Sequence, residues 1–189
     1  MTTPSMPMNS ISMNSTSMNS TSMNSTSMNS TAAHSTPLNI ASVTVDIDNA
    51  CDAMNIPDDS TVQRWIATAL VGLRQRAYVS IRIVDEQESA ELNHQYRHKN
   101  YATNILSFPS DLPEHYEPPL LGDLAICAAV VQREAAEQHK SPDAHWAHML
   151  VHGTLHLLGF DHIDDSDAAI MEAREITILH QLGFNDPYN

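Results

Sequence analysis

Three histidines, His152, His156 and His162, stand at a spacing that could hold a metal ion. Four positions separate the first two, which on a helix sets both imidazoles on one face, a turn apart. Gly159 can take the left-handed conformation that ends a helix. The turn it allows would return His162 as a third nitrogen ligand. Three protein ligands leave a fourth position for water, the catalytic arrangement of zinc; a structural site would favour cysteines. None is near: Cys51 and Cys127 are far from the triplet and form no CxxC pair. A histidine pair four apart is common on helices, so the weight rests on the triplet and its glycine, which predict one Zn²⁺ per chain. His145 and His148 share the face of His152 as packing or supporting residues, and Asp161 is a candidate acceptor for a liganding imidazole.

The pattern H-x3-H-x2-G-x2-H is that of the metzincin proteases, glycine included. Gly153 stands where those enzymes carry the glutamate that serves as general base. A zincin-like metal helix and turn is therefore expected, without the peptidase base.

These residues need elements to position them. Val43, Val45 and Ile47 alternate with polar residues, the pattern of a half-buried strand. Pro57-Asp-Asp-Ser60 opens a helix with an apolar stripe from Val62 to Leu73. Val79, Ile81 and Ile83 mark a second strand, followed by a helix from about 86 to 97. A short strand, Asn104–Phe108, is stopped by Pro109, and a loop with three prolines runs to Pro119. A further strand covers Leu121–Cys127, and helices are expected at about 128–139, 143–158 and 166–181, the last begun by Asp164, Asp165 and Asp167 as capping residues. The fold class is α+β, a mixed β-sheet flanked by helices.

Residues 37–189 form the expected domain. Residues 1–36 hold four copies of Ser-Met-Asn-Ser-Thr, and no charged residue precedes Asp46. Such a polar repeat cannot bury enough apolar surface to offset its chain entropy, and a disordered tail is expected. No apolar run approaches a membrane span and no signal peptide is visible, which makes the cytoplasm the default. The net charge of −14, from 23 acidic and 9 basic residues, by itself disfavours nucleic acid. The distribution softens this, because Arg64, Arg74, Arg76, Arg82, Arg97 and Lys99 all fall within one segment.

The run from His152 to His162 resembles the signature of the YbeY endoribonucleases, bacterial rRNA maturation factors, written HGxLHLxGYDH. Every fixed position matches except Phe160, where the family has Tyr. Three further blocks are similar to the family in order. They are Leu92–Arg97 with Thr103–Pro109, Leu121–Cys127, and His145–Val151, and the resemblance spans about residues 38–182. It implies a mixed sheet flanked by helices with a metal at a cleft. It further implies single-strand-specific endoribonuclease action in 3′-end maturation of 16S rRNA and in ribosome quality control. The implied partners are single-stranded RNA, the small ribosomal subunit and ribosomal proteins, with no DNA and no membrane. Arg97 and His152 are the implied catalytic residues, and His152, His156 and His162 the metal ligands. Two alternatives stay open: a metallohydrolase on a non-RNA substrate, and a non-catalytic ribosome-assembly factor with a structural metal.

Overall fold

A computed structural model describes residues 42–112, 117 and 119–189. The expected disordered tail, residues 1–36, lies outside the described residues, as do 113–116 and 118 of the expected proline loop.

Four strands and five helices are described: β1 (Ser42–Asn49), α1 (Asp59–Leu70), β2 (Arg76–Val84), α2 (Glu86–Arg97), β3 (Ile105–Pro109), β4 (Leu120–Cys127), α3 (Ala128–Glu137), α4 (Pro142–Leu157) and α5 (Asp165–Gln181). The sheet order is β1-β2-β4-β3. β1 and β4 both run parallel to β2, and β3 pairs antiparallel with β4, so the sheet is mixed as expected. β3 runs one residue further than its sequence suggested. Pro109 can end the strand because β3 is an edge, where a missing N–H costs no ladder bond.

Local signals set the helix starts. Asp58, Asp85, Ser141 and Asp164 are the N-caps of α1, α2, α4 and α5, each accepting from a backbone N–H of the first turn. Ala77, Val79, Ile81 and Ile83 of β2 present one sheet face to the core, in register with Val43, Val45 and Ile47 of β1 and with Leu124 and Ile126 of β4. Trp65, Ile66, Leu70, Trp146, Leu150 and Leu155 of α1 and α4 join the same core. Helix α4 is buried on most of its circumference, which a surface helix with one apolar stripe would not be. Among the described residues no helix is long and apolar enough to cross a membrane.

Two glycines let α4 lie this close to the sheet. A Cβ on Gly153 would stand 2.6 Å from Ile105 Cδ1 and 2.9 Å from Leu124 Cδ2. Gly122 of β4 has φ +148°, and a Cβ there would meet the Phe108 carbonyl at 2.3 Å and Leu157 Cδ2 at 2.8 Å. Ser107 Oγ completes the seam by donating to the Gly153 carbonyl at 3.2 Å.

Candidate metal centre

Helix α4 presents His152 and His156 one turn apart, and the end of the helix decides where His162 goes. Gly159 sits at φ +88°, with Gly159 N–H bonded to the His156 carbonyl at 3.0 Å and Phe160 N–H to the Leu155 carbonyl at 3.0 Å. This pair of bonds is a Schellman motif, the left-handed helix stop expected of that glycine. The chain then doubles back and sets the His162 ring centroid 5.4 Å from that of His152 and 4.9 Å from that of His156. One ligand atom from each of the three histidines falls within 4.8 Å of the others. His152 and His156 are half-buried and His162 is exposed, so the cluster opens to solvent on the His162 side.

The outward nitrogens of the α4 pair are occupied. His152 Nδ1 lies 2.8 Å from Glu175 Oε1, and His156 Nδ1 lies 2.9 Å from the Phe160 carbonyl oxygen. Both partners only accept, so each Nδ1 carries a hydrogen, and in a neutral ring the lone pair is then on Nε2. Those two Nε2 atoms face one another at 3.1 Å. Burial, and then the neighbouring His152, push the pKa of His156 down to about 4, which keeps its imidazole neutral at physiological pH.

Glu175 of α5 is the residue that spacing alone did not reveal. It is fully buried and accepts from His152 through Oε1 and, through Oε2, from His148 Nε2 at 3.1 Å and from the Tyr188 hydroxyl. Burial works to raise its pKa, but the hydrogen bonds from His148, His152 and Tyr188 outweigh it and hold the carboxyl near 2. A signal was present in the sequence: Glu175 occupies the buried stripe of α5 beside Met171, Ile178 and Leu179, where an acid must have a partner.

Asp161 does not take the orienting role considered for it. Its Oδ1 accepts from the His162 backbone N–H at 2.7 Å and is 3.9 Å from His162 Nδ1, outside hydrogen-bond range. Glu175 and the Phe160 carbonyl do that work instead. The supporting histidines part company along α4. His145 bonds Glu134 of α3 at 2.8 Å, while His148 is buried against Glu175, with burial lowering its pKa. The Phe160 ring, in place of the Tyr of the signature, lies under the Arg174 guanidinium, 4.8 Å from its centroid. Asp164 caps α5 as expected, accepting from the N–H groups of Ser166 and Asp167 at 3.0 Å.

Arg97 ends α2 on the surface. Among the described residues it makes no ion pair: Glu88 is taken by Arg82, and Glu91 accepts from Gln87. No hydrogen bond among these residues joins it to the three histidines either. Its neighbours form the link to α4, because Tyr96 packs edge-on against Phe108 with centroids 4.9 Å apart and the adjoining Ser107 bonds Gly153. A cavity of about 380 Å³ adjoins the cluster, with His152, His162, Asn104, His148, Glu172 and Tyr188 in its wall.

Gly153 follows His152 directly, and the direction of its missing side chain is toward Ile105 and Leu124. A glutamate there would be driven into the sheet seam. The peptidase base is therefore absent in residue type and has no room at that position.

Residues 46–183 match the family model described as Endoribonuclease YbeY. The chain belongs to the YbeY family. Relatives described as Endoribonuclease YbeY include one from Cellvibrio japonicus, 52% identical over 146 residues, covering 77% of this chain and 82% of that protein. One from Pseudomonas putida is 55% identical over 145 residues, covering 76% and 92%. Another YbeY, from Pseudomonas savastanoi pv. phaseolicola, is 60% identical over 136 residues, covering 70% and 80%. A solution structure from Thermotoga maritima overlaps with a TM-score of 0.48 at 21% identity, over 74% of this chain and 89% of that one. Membership of the YbeY family rests on the sequence relatives.

Proposed function

We propose that this chain is a zinc-dependent, single-strand-specific endoribonuclease that acts in 3′-end maturation of 16S rRNA and in ribosome quality control in the cytoplasm. The observation that carries the metal assignment is the pair of Nε2 atoms of His152 and His156, 3.1 Å apart. With both Nδ1 atoms donating elsewhere, the neutral rings turn two lone pairs toward each other, an arrangement suited to a shared cation. His162 supplies a third nitrogen within reach of the same point. Three imidazoles and no thiolate suit one Zn²⁺ with an open position. RNA as substrate is supported by membership of a family whose relatives are named endoribonucleases.

A bound Zn²⁺ would supply Lewis acidity toward a phosphate oxygen and lower the pKa of a water it holds. His152, His156 and His162 would hold the ion; Glu175 and the Phe160 carbonyl fix the ring planes of the first two. Arg97 offers a permanently charged, planar fork to a phosphate that gains charge in the transition state, and its lack of an ion pair among the described residues leaves that fork available. His148 does not serve as proton acceptor in this scheme. It is buried, with Nε2 on Glu175, and its enclosed Nδ1 has no partner among the described residues.

The reading is tested by zinc analysis and cleavage of single-stranded against duplex RNA for the wild type and His156→Ala. Stoichiometric zinc and cleavage of the single strand, both lost in the variant, are expected. Full metal retention by His156→Ala overturns the ligand assignment. The cellular arm compares 16S rRNA 3′ ends in cells carrying either form, with unprocessed ends expected in the variant.

A further inference from the structure

The stretch matched to the family ends at residue 183, and the chain beyond it returns to the metal centre. Gly183, at φ +88°, stops α5, and Phe184 N–H bonds the Leu179 carbonyl at 2.9 Å. The Phe184 ring then seats edge-on against Trp65, centroids 5.8 Å apart. Lys140 Nζ donates to the Pro187 carbonyl, and Tyr188 N–H bonds Asp186 Oδ1 at 2.9 Å. These contacts deliver the Tyr188 hydroxyl to Glu175 Oε2 and its ring edge-on to His148, centroids 5.5 Å apart.

The consequence follows from what Glu175 must satisfy. A fully buried carboxylate needs donors on both oxygens, and among the described residues this one has no Lys or Arg as a hydrogen-bond partner. Oε1 serves His152. Oε2 is held by His148 and Tyr188 together, so these two set the carboxylate plane and hence the direction in which His152 is gripped. His148 is buried and held through Nε2 on Glu175, Tyr188 closes the space beside its ring, and among the described residues its Nδ1 has no partner.

We propose that Tyr188 is a positioning residue of the metal centre: its hydroxyl holds Glu175, and Glu175 aims His152. The C-terminal segment is thus a strap on the zinc site as well as a cover for the core. This inference rests on the three-histidine reading above. Tyr188 lies in the cavity wall beside His152 and His162, and none of the three proposed ligands bonds it directly.

The test uses the full chain in four forms: wild type, Tyr188→Phe, Lys140→Ala and His156→Ala. Phe keeps the ring against His148 and removes only the hydroxyl; Lys140→Ala removes the Pro187 anchor without touching Glu175. Zinc affinity is measured by chelator competition, and the ligand field by the visible spectrum of the Co²⁺-loaded protein. Tyr188→Phe is expected to weaken zinc binding about 10-fold, the low end of what loss of a residue supporting a ligand costs. It is also expected to shift the Co²⁺ bands, a change that mere anchoring of the tail would not produce. Wild-type affinity with an unchanged Co²⁺ spectrum in Tyr188→Phe overturns the proposal, as does an equal loss in Lys140→Ala, which would assign the effect to tail attachment. A wild type that binds no zinc, or a His156→Ala form that keeps it, instead overturns the metal reading itself and this proposal with it.

Discussion

His152 Nδ1 and Glu175 Oε1, 2.8 Å apart, join α4 to α5 where a buried carboxylate meets a proposed zinc ligand. The bond fixes which nitrogen of His152 carries the hydrogen, and so which one faces His156. It also places a negative charge behind the proposed cation site, where the donors of His148 and Tyr188 offset the cost of burying it. Such an acceptor raises the basicity of a liganding imidazole as well as aiming it.

Glu175→Gln should therefore weaken zinc binding by about 10–100-fold. The amide can accept from His152 through one atom only, and its NH₂ then faces the His148 and Tyr188 donors. The mismatch is expected to lower the stability of the metal-free protein by roughly 1–3 kcal/mol. Chelator competition and urea unfolding measure the two effects separately. Unchanged zinc affinity would remove Glu175 from the metal site and leave it a core residue.

Gly153→Ala should destabilise the fold, because the new Cβ meets two side chains of the sheet, Ile105 and Leu124, inside van der Waals contact. Overpacking of this kind costs about 1–3 kcal/mol. Gly153→Glu is expected to cost more and to yield no cleavage of casein, since the carboxyl cannot reach the histidines from that seam. Denaturant midpoints and a protease assay on the soluble fraction check both statements.

Arg97→Ala should leave zinc content unchanged and stability within about 0.5 kcal/mol, the usual range for an exposed side chain without structural partners. RNA cleavage is expected to fall by about 10²–10³-fold, the scale of losing one donor to developing charge. Arg97→Lys should restore only part of the rate, because an ammonium is a point charge and not a fork. Single-turnover cleavage of single-stranded RNA is the measurement; an unchanged rate would take Arg97 out of the mechanism.

Gly159→Ala should affect the site through the backbone. An L-residue in the left-handed region costs roughly 1–2 kcal/mol. Relieving that strain would pull the Phe160 carbonyl from His156 Nδ1, which now bonds it at 2.9 Å. Weaker zinc binding with His152, His156 and His162 all intact is the expected result, read by the same competition assay.

Much of this molecule was legible in its sequence because much of it is local. The opening of α1 at Pro57–Ser60, the cap of α5 at Asp164, the alternation in β1 and β2, and the stripe of α1 each depend on residues a few positions apart. The histidine triplet is equally local: a helical turn and a glycine stop suffice to bring three imidazoles together. Tertiary structure alone decided what stands behind them. Glu175 is 23 residues from His152 and Tyr188 a further 13, and their meeting requires α5 and the returning chain end to seat against α4. Likewise, the sequence shows that Gly153 lacks the protease carboxylate, but only the seam with Ile105 and Leu124 shows that none would fit. Periodicity fixes which residues share a face, and the packing of distant elements fixes what that face meets.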